Sequence, residues 1–372
     1  MRLAHPHPHR PVGHRRGIAL IIVMLMVLAM GIAAGILAYS MKVETKLATN
    51  TSASGELEWL GLSGVEFAKW ALAEQQRIPG EQGYNGLNQF WAGGPGGNGN
   101  RIGDLMEDPF EGISLKDITI GEGHLSIEIV DQERKLNINQ ADPLALEAGL
   151  GMAGAGASEA AQINAALTDW RDRDDHPTAG GGAESTDFYL GLDPPYRAKN
   201  GPIDDIGELL KVRGITPELF FGQPSDHGPL RGIDRLRHND VDVVSAGLVD
   251  LFCAISAGQI NINTASLPVL TMAFRGDRIM ARQIVQARAG PDGADGTADD
   301  EPARNPGDIN RLMGPAAGGG GAPVPAPPRF ITISTTFEIR IEAAYGRAKR
   351  HYVALIQRRS ARDFQTLVFR ER

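Results

Sequence analysis

The sequence predicts an α+β chain: one very long N-terminal helix, an antiparallel sheet, and a large, mostly helical domain inserted in that sheet. Three observations predict it. The first is an apolar run, Ile18 to Tyr39, that passes without proline into a segment of helical spacing ending near Ile78. The second is strand-like alternation at both ends of the body, in "GHLSIEIVDQERKLNIN" and again in "RFITISTTFEIRIEAAYGR", "AKRHYVALIQRR" and "FQTLVFR". The third is the stretch between them, rich in glycine and in helix-periodic apolar residues.

The long helix has two halves. Residues 18–39 carry no charge and span about 33 Å as a helix at 1.5 Å per residue, enough to cross the hydrocarbon core. A secretory h-region is shorter, roughly 7–15 residues, and ends at a small-residue cleavage site that is missing here. Residues 40–78 continue as an amphipathic half whose apolar members are Leu57, Leu60, Val65, Phe67, Ala68, Trp70 and Leu72. Ahead of the run, Arg2, Arg10, Arg15 and Arg16 have no acid to balance them, which keeps residues 1–17 cytoplasmic and the body outside. The "HPHPH" of that leader reads as solvated chain.

Beyond the helix, residues 79–131 hold a glycine-rich linker, "GGPGGNGNRIGD", and the first strands, with Leu125, Ile127 and Ile129 facing one way. Residues 132–315 form the inserted helical domain. The low-complexity "GPAAGGGGAPVPAPPR" then returns the chain to the strands of 316–372. A related phrase occurs twice: "KLNINQADPLALEAGL" and "GQININTASLPVLTMAF". In both, Asn-Ile-Asn leads into an apolar helix.

Two acidic clusters stand out. Asp172, Asp174, Asp175, Glu184 and Asp187 flank a glycine-rich turn. "GPDGADGTADDEP" supplies Asp292, Asp295, Asp299, Asp300 and Glu301. Calcium takes six to eight oxygen ligands, and carboxylates on either side of a flexible turn can converge on one ion. The spacing is not that of an EF-hand, and a plain solvated acidic loop is the alternative reading of each. With a net charge of −8 the chain is no general polyanion binder. It has no Gly-x-Ser-x-Gly, no His-Glu-x-x-His and no Walker A loop, so the reading is not an enzyme. Its histidines beyond the leader (His124, His176, His227, His238 and His351) are scattered, and the one cysteine, Cys253, lies in an apolar neighbourhood as a buried small hydrophobe.

A basic leader ending in glycine, followed by a long apolar helix that becomes amphipathic, resembles the type IV pilin-like N-terminus. The resemblance implies a prepilin peptidase cut between Gly17 and Ile18 with methylation of the new amine. It also implies a type IV pilin-like helix on its sheet. Most pilins carry glutamate at the fifth mature position, where this chain has Ile22. A carboxylate inside a bilayer costs roughly 2.5–3.5 kcal/mol on insertion scales unless it is paired. An apolar residue suits a subunit with no neighbour above it.

The order of the remaining blocks resembles the K-type minor pseudopilins of type II secretion. These are the asparagine phrase, Asp169 to Asp174, Gly182 to Glu184, Tyr189, Pro195 to Asn200, Glu208 to Leu209, Val212 to Gly214, and the second asparagine phrase. The resemblance implies a subunit at the tip of the periplasmic pseudopilus that starts its assembly for export of folded proteins across the outer membrane. It implies a single-pass inner-membrane location with a periplasmic body. Its implied partners are other minor pseudopilins, the prepilin peptidase, the inner-membrane secretion platform and membrane lipid, with no nucleic acid. Calcium is the implied cofactor, held by Asp172, Asp174, Glu184 and Asp187, with Asp292, Asp295, Asp299 and Asp300 as a second group. The rival reading is a membrane-anchored, helix-hairpin-helix-like DNA-binding protein, since "LNINQAD" and "ININTAS" also resemble the start of such modules and Arg275, Arg278, Arg282 and Arg288 follow the second.

Overall fold

The computed structural model describes residues 16–96, 109–222, 246–313 and 330–372. The leader before Arg16, the later part of the first glycine-rich linker, His227, His238 and the second low-complexity connector lie outside the described residues. The chain divides into two units, residues 1–58 and 59–372.

Helix α1, Arg16–Gln75, runs through both. Over residues 19–48 its apolar side chains, among them Leu20, Ile22, Met26, Ile32 and Leu37, are all exposed, and this is a helix long and apolar enough to cross a membrane. It is helical from before the Gly17–Ile18 bond onward.

In the second unit α1 lies on a five-stranded antiparallel sheet. The strands are β1 (Ile118–Ile120), β2 (Gly123–Asp131), β7 (Thr336–Tyr345), β8 (Ala348–Arg358) and β9 (Phe364–Glu371), in that spatial order. Alternation places Leu125, Ile127 and Ile129 of β2 and Phe337, Ile339 and Ile341 of β7 in the core. Two glycines let the helix come close. A Cβ on Gly61 would stand 2.7 Å from the Tyr352 ring, and one on Gly64 3.0 Å from the Ile341 Cδ1. The buried side of α1 is therefore Leu60, Gly61, Gly64, Val65, Ala68, Ala71 and Leu72. Phe67 and Trp70 were expected on this face. Their positions fall about 100° round the helix from Ala68 and Ala71, so Trp70 stays 37% exposed, with its ring edge-on to Phe110 at 5.5 Å. The turn after the helix is not slack. Tyr84, Leu87, Gln89 and Trp91 are buried, and Trp91 meets Phe337 edge-on at 5.5 Å.

The insertion takes the place of a hairpin loop. Strands β2 and β7 are register neighbours up to Asp131↔Phe337, and the helical domain leaves from one and returns to the other. Each asparagine phrase opens a short strand, β3 (Leu136–Asn137) and β5 (Ile260–Asn261), paired in parallel with β4 (Phe252–Cys253) and β6 (Phe330–Ile331). The run "RFITISTTFEIRIEAAYGR" is thus two strands, not one. β6 belongs to the insertion and β7 to the main sheet, because Asn85 takes the polar groups between them. The Asn85 N–H donates to Thr332 O (2.6 Å), and its Oδ1 accepts from the Ser334 N–H (3.0 Å).

The two phrases prove to be counterparts in space. In both, the first asparagine's Oδ1 accepts from the N–H two residues on: Asn137 from Asn139 (2.9 Å), Asn261 from Asn263 (3.0 Å). In both, the second asparagine grips a distant backbone by its N–H and C=O, Asn139 at Ile203 and Asn263 at Ala303. A helix with proline in its first turn follows each, α2 (Pro143–Met152) and α6 (Leu267–Ala273). A second helix follows each of those, α3 (Ala157–Arg171) and α7 (Arg278–Arg288). The last arginine of each turns back to the middle of its phrase: Arg171 donates to Ile138 O (2.5 Å) and Arg288 to Ile262 O (2.6 Å). The two asparagine-phrase helix pairs share one core, including Leu146, Leu150, Leu167, Phe252, Leu270 and Ile284. Helices α4 (Pro217–Phe221), α5 (Leu248–Leu251) and α8 (Pro306–Met313) complete the domain. Cys253 is buried, with its thiol pushed up to about 12 by that burial.

The insertion is rooted by the Asp131 carboxylate. Its Oδ2 accepts from Asn261 Nδ2 (3.1 Å), the Thr264 hydroxyl (2.6 Å) and the Ser334 hydroxyl (2.6 Å). Asp131→Ala strands the Thr264 and Ser334 hydroxyls and the Glu133 N–H, which donates to the Asp131 Oδ1 (2.8 Å), and each unmade hydrogen bond costs about 1–3 kcal/mol. Urea unfolding should show a loss of about 3 kcal/mol or more, with Asp131→Asn losing less. A loss within 0.5 kcal/mol would mean the root lies elsewhere.

Candidate cation site

The site forms where α3 ends. Asp172 is the C-cap of that helix, its N–H bonded to Thr168 O (2.9 Å) and its backbone extended, so the chain leaves the helix axis. A glycine turn then carries it back past the helix. Gly180 and Gly181 have φ of +96° and +134°, and a Cβ on Gly182 would stand 2.3 Å from the Asp169 carboxylate. Only glycine fits there. The Asp169 carboxylate holds the loop by accepting from the Thr178 N–H at 3.0 and 3.2 Å.

This fold brings Asp172, Asp174 and Glu184 together, with one carboxylate oxygen of each within 4.8 Å of the others. Two oxygens bound to one calcium at about 2.4 Å each are at most about 4.8 Å apart, so the three fit a common ion. Glu184 is fully buried, and neither of its oxygens has a hydrogen-bond partner among the described residues; Asp172 Oδ1 and Asn200 Oδ1 are unpartnered in the same way. Asn200 is fastened beside them, its Nδ2 donating to Asp174 O and Asp175 Oδ1, both at 3.0 Å. A buried carboxylate with no donor is costly. Burial, and then the charges of Asp169 and Asp172, push the Glu184 carboxyl up to about 7. Burial and the neighbouring Asp174 raise Asp172 as well. The donors are all oxygens, which suits a hard cation.

The other predicted residues fall outside this group. Asp187 accepts from the Glu184 N–H (2.8 Å), so it shapes the turn that presents Glu184. The second loop does not gather its carboxylates in the same way. Asp295 pairs with Arg288 through two bonds, at 2.9 and 2.6 Å, both side chains buried. Asp292 accepts from Ala294, Asp299 from Asp292 and Thr297, and Asp300 from Gly296, all of these within the loop. Sequence reasoning missed two contributors, Asp169 and Asn200. Both stood in the quoted motifs, but nothing in their spacing separates a loop holder from a ligand.

A carboxyl raised on folding leaves stability intact below its unfolded pKa and withdraws it as pH rises through the folded one. In chelator, Glu184→Gln should therefore raise Tm at pH 8 and change it little at pH 5, with the crossover near 7. An equal change at both pH values would mean Glu184 is not held unpaired.

Residues 128–221 match the family model described as type II secretion system (T2SS), protein K. A type II secretion system protein K of Pectobacterium carotovorum is 31% identical over 136 residues, 35% of this chain and 33% of that protein. That of Pseudomonas aeruginosa is 33% identical over 122 residues, 33% of this chain and 29% of its own. In each case the similarity spans a third of the relative or less. Among solved structures, a chain of the GspK-GspI-GspJ complex from the enterotoxigenic Escherichia coli type 2 secretion system superposes with a TM-score of 0.57 at 19% identity. The match covers 87% of this chain and 99% of that one. Residues 128–221 are thus similar to the type II secretion system protein K family model, in a chain that shares the fold of that complex's subunit.

Proposed function

We propose that the chain is a minor pseudopilin of a type II secretion system, anchored once in the bacterial inner membrane. It caps the tip of the periplasmic pseudopilus and starts its assembly for export of folded proteins across the outer membrane. One observation carries this reading: the segment that matches the protein K family model, residues 128–221, runs from the end of β2 into the insertion between β2 and β7, in a body whose own helix continues into a membrane-length apolar segment. The bulk of residues 59–372 suits an end position better than a shaft, where subunits repeat side by side. Ile22 supports the same position, since a tip subunit has no amine above it to pair with a buried carboxylate. The partners in this reading are other minor pseudopilins, as in the complex that supplied the structural match. Processing by a prepilin peptidase comes first. Mass spectrometry of the protein from a secreting cell should find the mature chain starting at a methylated Ile18, and crosslinks along α1 should reach partners on the membrane side only. An intact leader, or regular spacing of the protein along the filament, would overturn the reading.

Calcium is the proposed ion for Asp172, Asp174 and Glu184, with Asn200 Oδ1 and backbone carbonyls completing its shell. What supports it is the buried, unpartnered Glu184 carboxylate. Bound there, the ion supplies charge neutralisation and a fixed loop. The loop Asp292–Asp300 is left out of this proposal, because its carboxylates already hold Arg288 and the loop's own amides. Binding to the native state alone stabilises by about 2.7 kcal/mol at a hundredfold excess over Kd. Calcium should raise Tm over chelator, more at pH 7.5 than at pH 5.5, because protons compete for Glu184 at the lower pH. The Asp172→Ala, Glu184→Ala variant should lose the response. A melting curve of the unmutated protein that ignores chelator would end the calcium reading.

A further inference from the structure

The two halves of the insertion differ on one face, and the difference is not required by the scaffold. Aligned through their terminal arginines, Arg171 and Arg288, helices α3 and α7 bury matching positions: Asn164 and Leu167 against Ala281 and Ile284. The other positions do not match. Where α3 exposes Ala161 and Gln162, α7 exposes Arg278 and Ile279, and where α3 buries Ala165, α7 exposes Arg282. Arg275 stands beside them in the hairpin, at φ +55°. Among the described residues none of these three guanidinium groups has a hydrogen-bond or ion-pair partner, although the chain as a whole is acidic. Ile279 is 74% exposed, above every other large apolar side chain among the described residues, the membrane-length helix included. Arg278, Ile279, Arg282, Gln283 and Gln286 line a shallow recess of about 420 Å³.

We propose that this face of α7 docks an acidic segment of a protein partner that carries an apolar side chain to cover Ile279. Charge complementarity selects the acid: three unpaired guanidiniums within eight residues attract carboxylates, and their planar forks suit bidentate contacts. The composition is that of a protein interface, an apolar anchor ringed by arginine and amide groups. A lipid surface is disfavoured because Ala281, Ile284 and Val285 are buried in the core, which leaves Ile279 alone to insert. Nucleic acid is disfavoured because Asp277 already caps the helix, its Oδ1 accepting from the Met280 N–H at 2.9 Å where a phosphate would sit. The face is independent of the cation site and of the α1 contacts invoked above.

The test places a photocrosslinking residue at Gln283 of the full chain in a secreting cell. The expected result is a crosslink to an acidic peptide of one protein. Arg278→Glu with Arg282→Glu should weaken it at least tenfold, and exchanging acidic for basic residues in the captured peptide should restore it. Ile279→Ser should weaken it while leaving the melting curve unchanged, which separates docking from folding. No crosslink, a crosslink to lipid or nucleic acid, or one indifferent to the charge reversal would overturn the proposal. The mature N-terminus, read from the same sample, reports on the pseudopilin reading separately.

Discussion

The carboxylate of Asp131 is the contact on which the rest of the body depends. It lies at the last residue of β2, 2% exposed, and receives bonds from two sides: from Asn261 and Thr264 of the second asparagine phrase, and from Ser334 on the returning chain. Asn261 extends the same node to Asn85 O, in the buried turn after α1. Glu133 repeats the device two residues on, accepting from the N–H groups of Ala257 and Thr336 and the hydroxyl of Thr335. Both ends of the insertion are thus tied to the sheet by anions whose lone pairs are filled. Burial is offset only while those bonds are made. It pushes Glu133 up to about 7, with the charge of Asp131 adding to the rise, and pushes Arg134 down to about 10.

The insertion then repeats one solution to one problem. A strand of two residues cannot hold a helix pair in place by its own ladder. Each asparagine therefore clamps a distant backbone, and each terminal arginine closes the unit on its own phrase. The acidic loop leaves from that arginine in both units, but the charge is settled differently. Arg288 gives its fork to Asp295, while Arg171 spends its bonds on Ile138 O and Leu167 O and leaves both Glu184 oxygens and Asp172 Oδ1 without a partner among the described residues. The unsatisfied loop is the one that gathers three carboxylates.

Residue order singles out Asp172, Asp174, Asp175, Glu184 and Asp187 as carboxylates flanking a glycine turn, and the glycines are where the backbone needs positive φ and close approach. The choice between an ion ligand and a solvated loop came from the family resemblance and not from spacing. Asp187 and the second cluster were named on the same grounds, and the structure leaves them outside the gathered group. A carboxylate can face an ion or cap a nearby amide, and spacing does not distinguish the two. Asp187 caps Glu184, and Asp300 caps Gly296.

The sequence by itself determined the features that follow from local chemistry. Hydrophobic length set the membrane-capable half of α1, and period-two alternation set β2, β7 and β8. The paired asparagine phrases announced two related units. Tertiary structure alone decided which face of α1 meets the sheet, because that depends on Gly61 and Gly64 finding Tyr352 and Ile341 nearly three hundred residues away. It alone split the Phe330–Tyr345 run, since the break is made by Asn85 and not by any residue within the run. It alone separated a carboxylate left unpaired from its neighbours already spent, because burial and partners are properties of the folded chain, not of spacing along it.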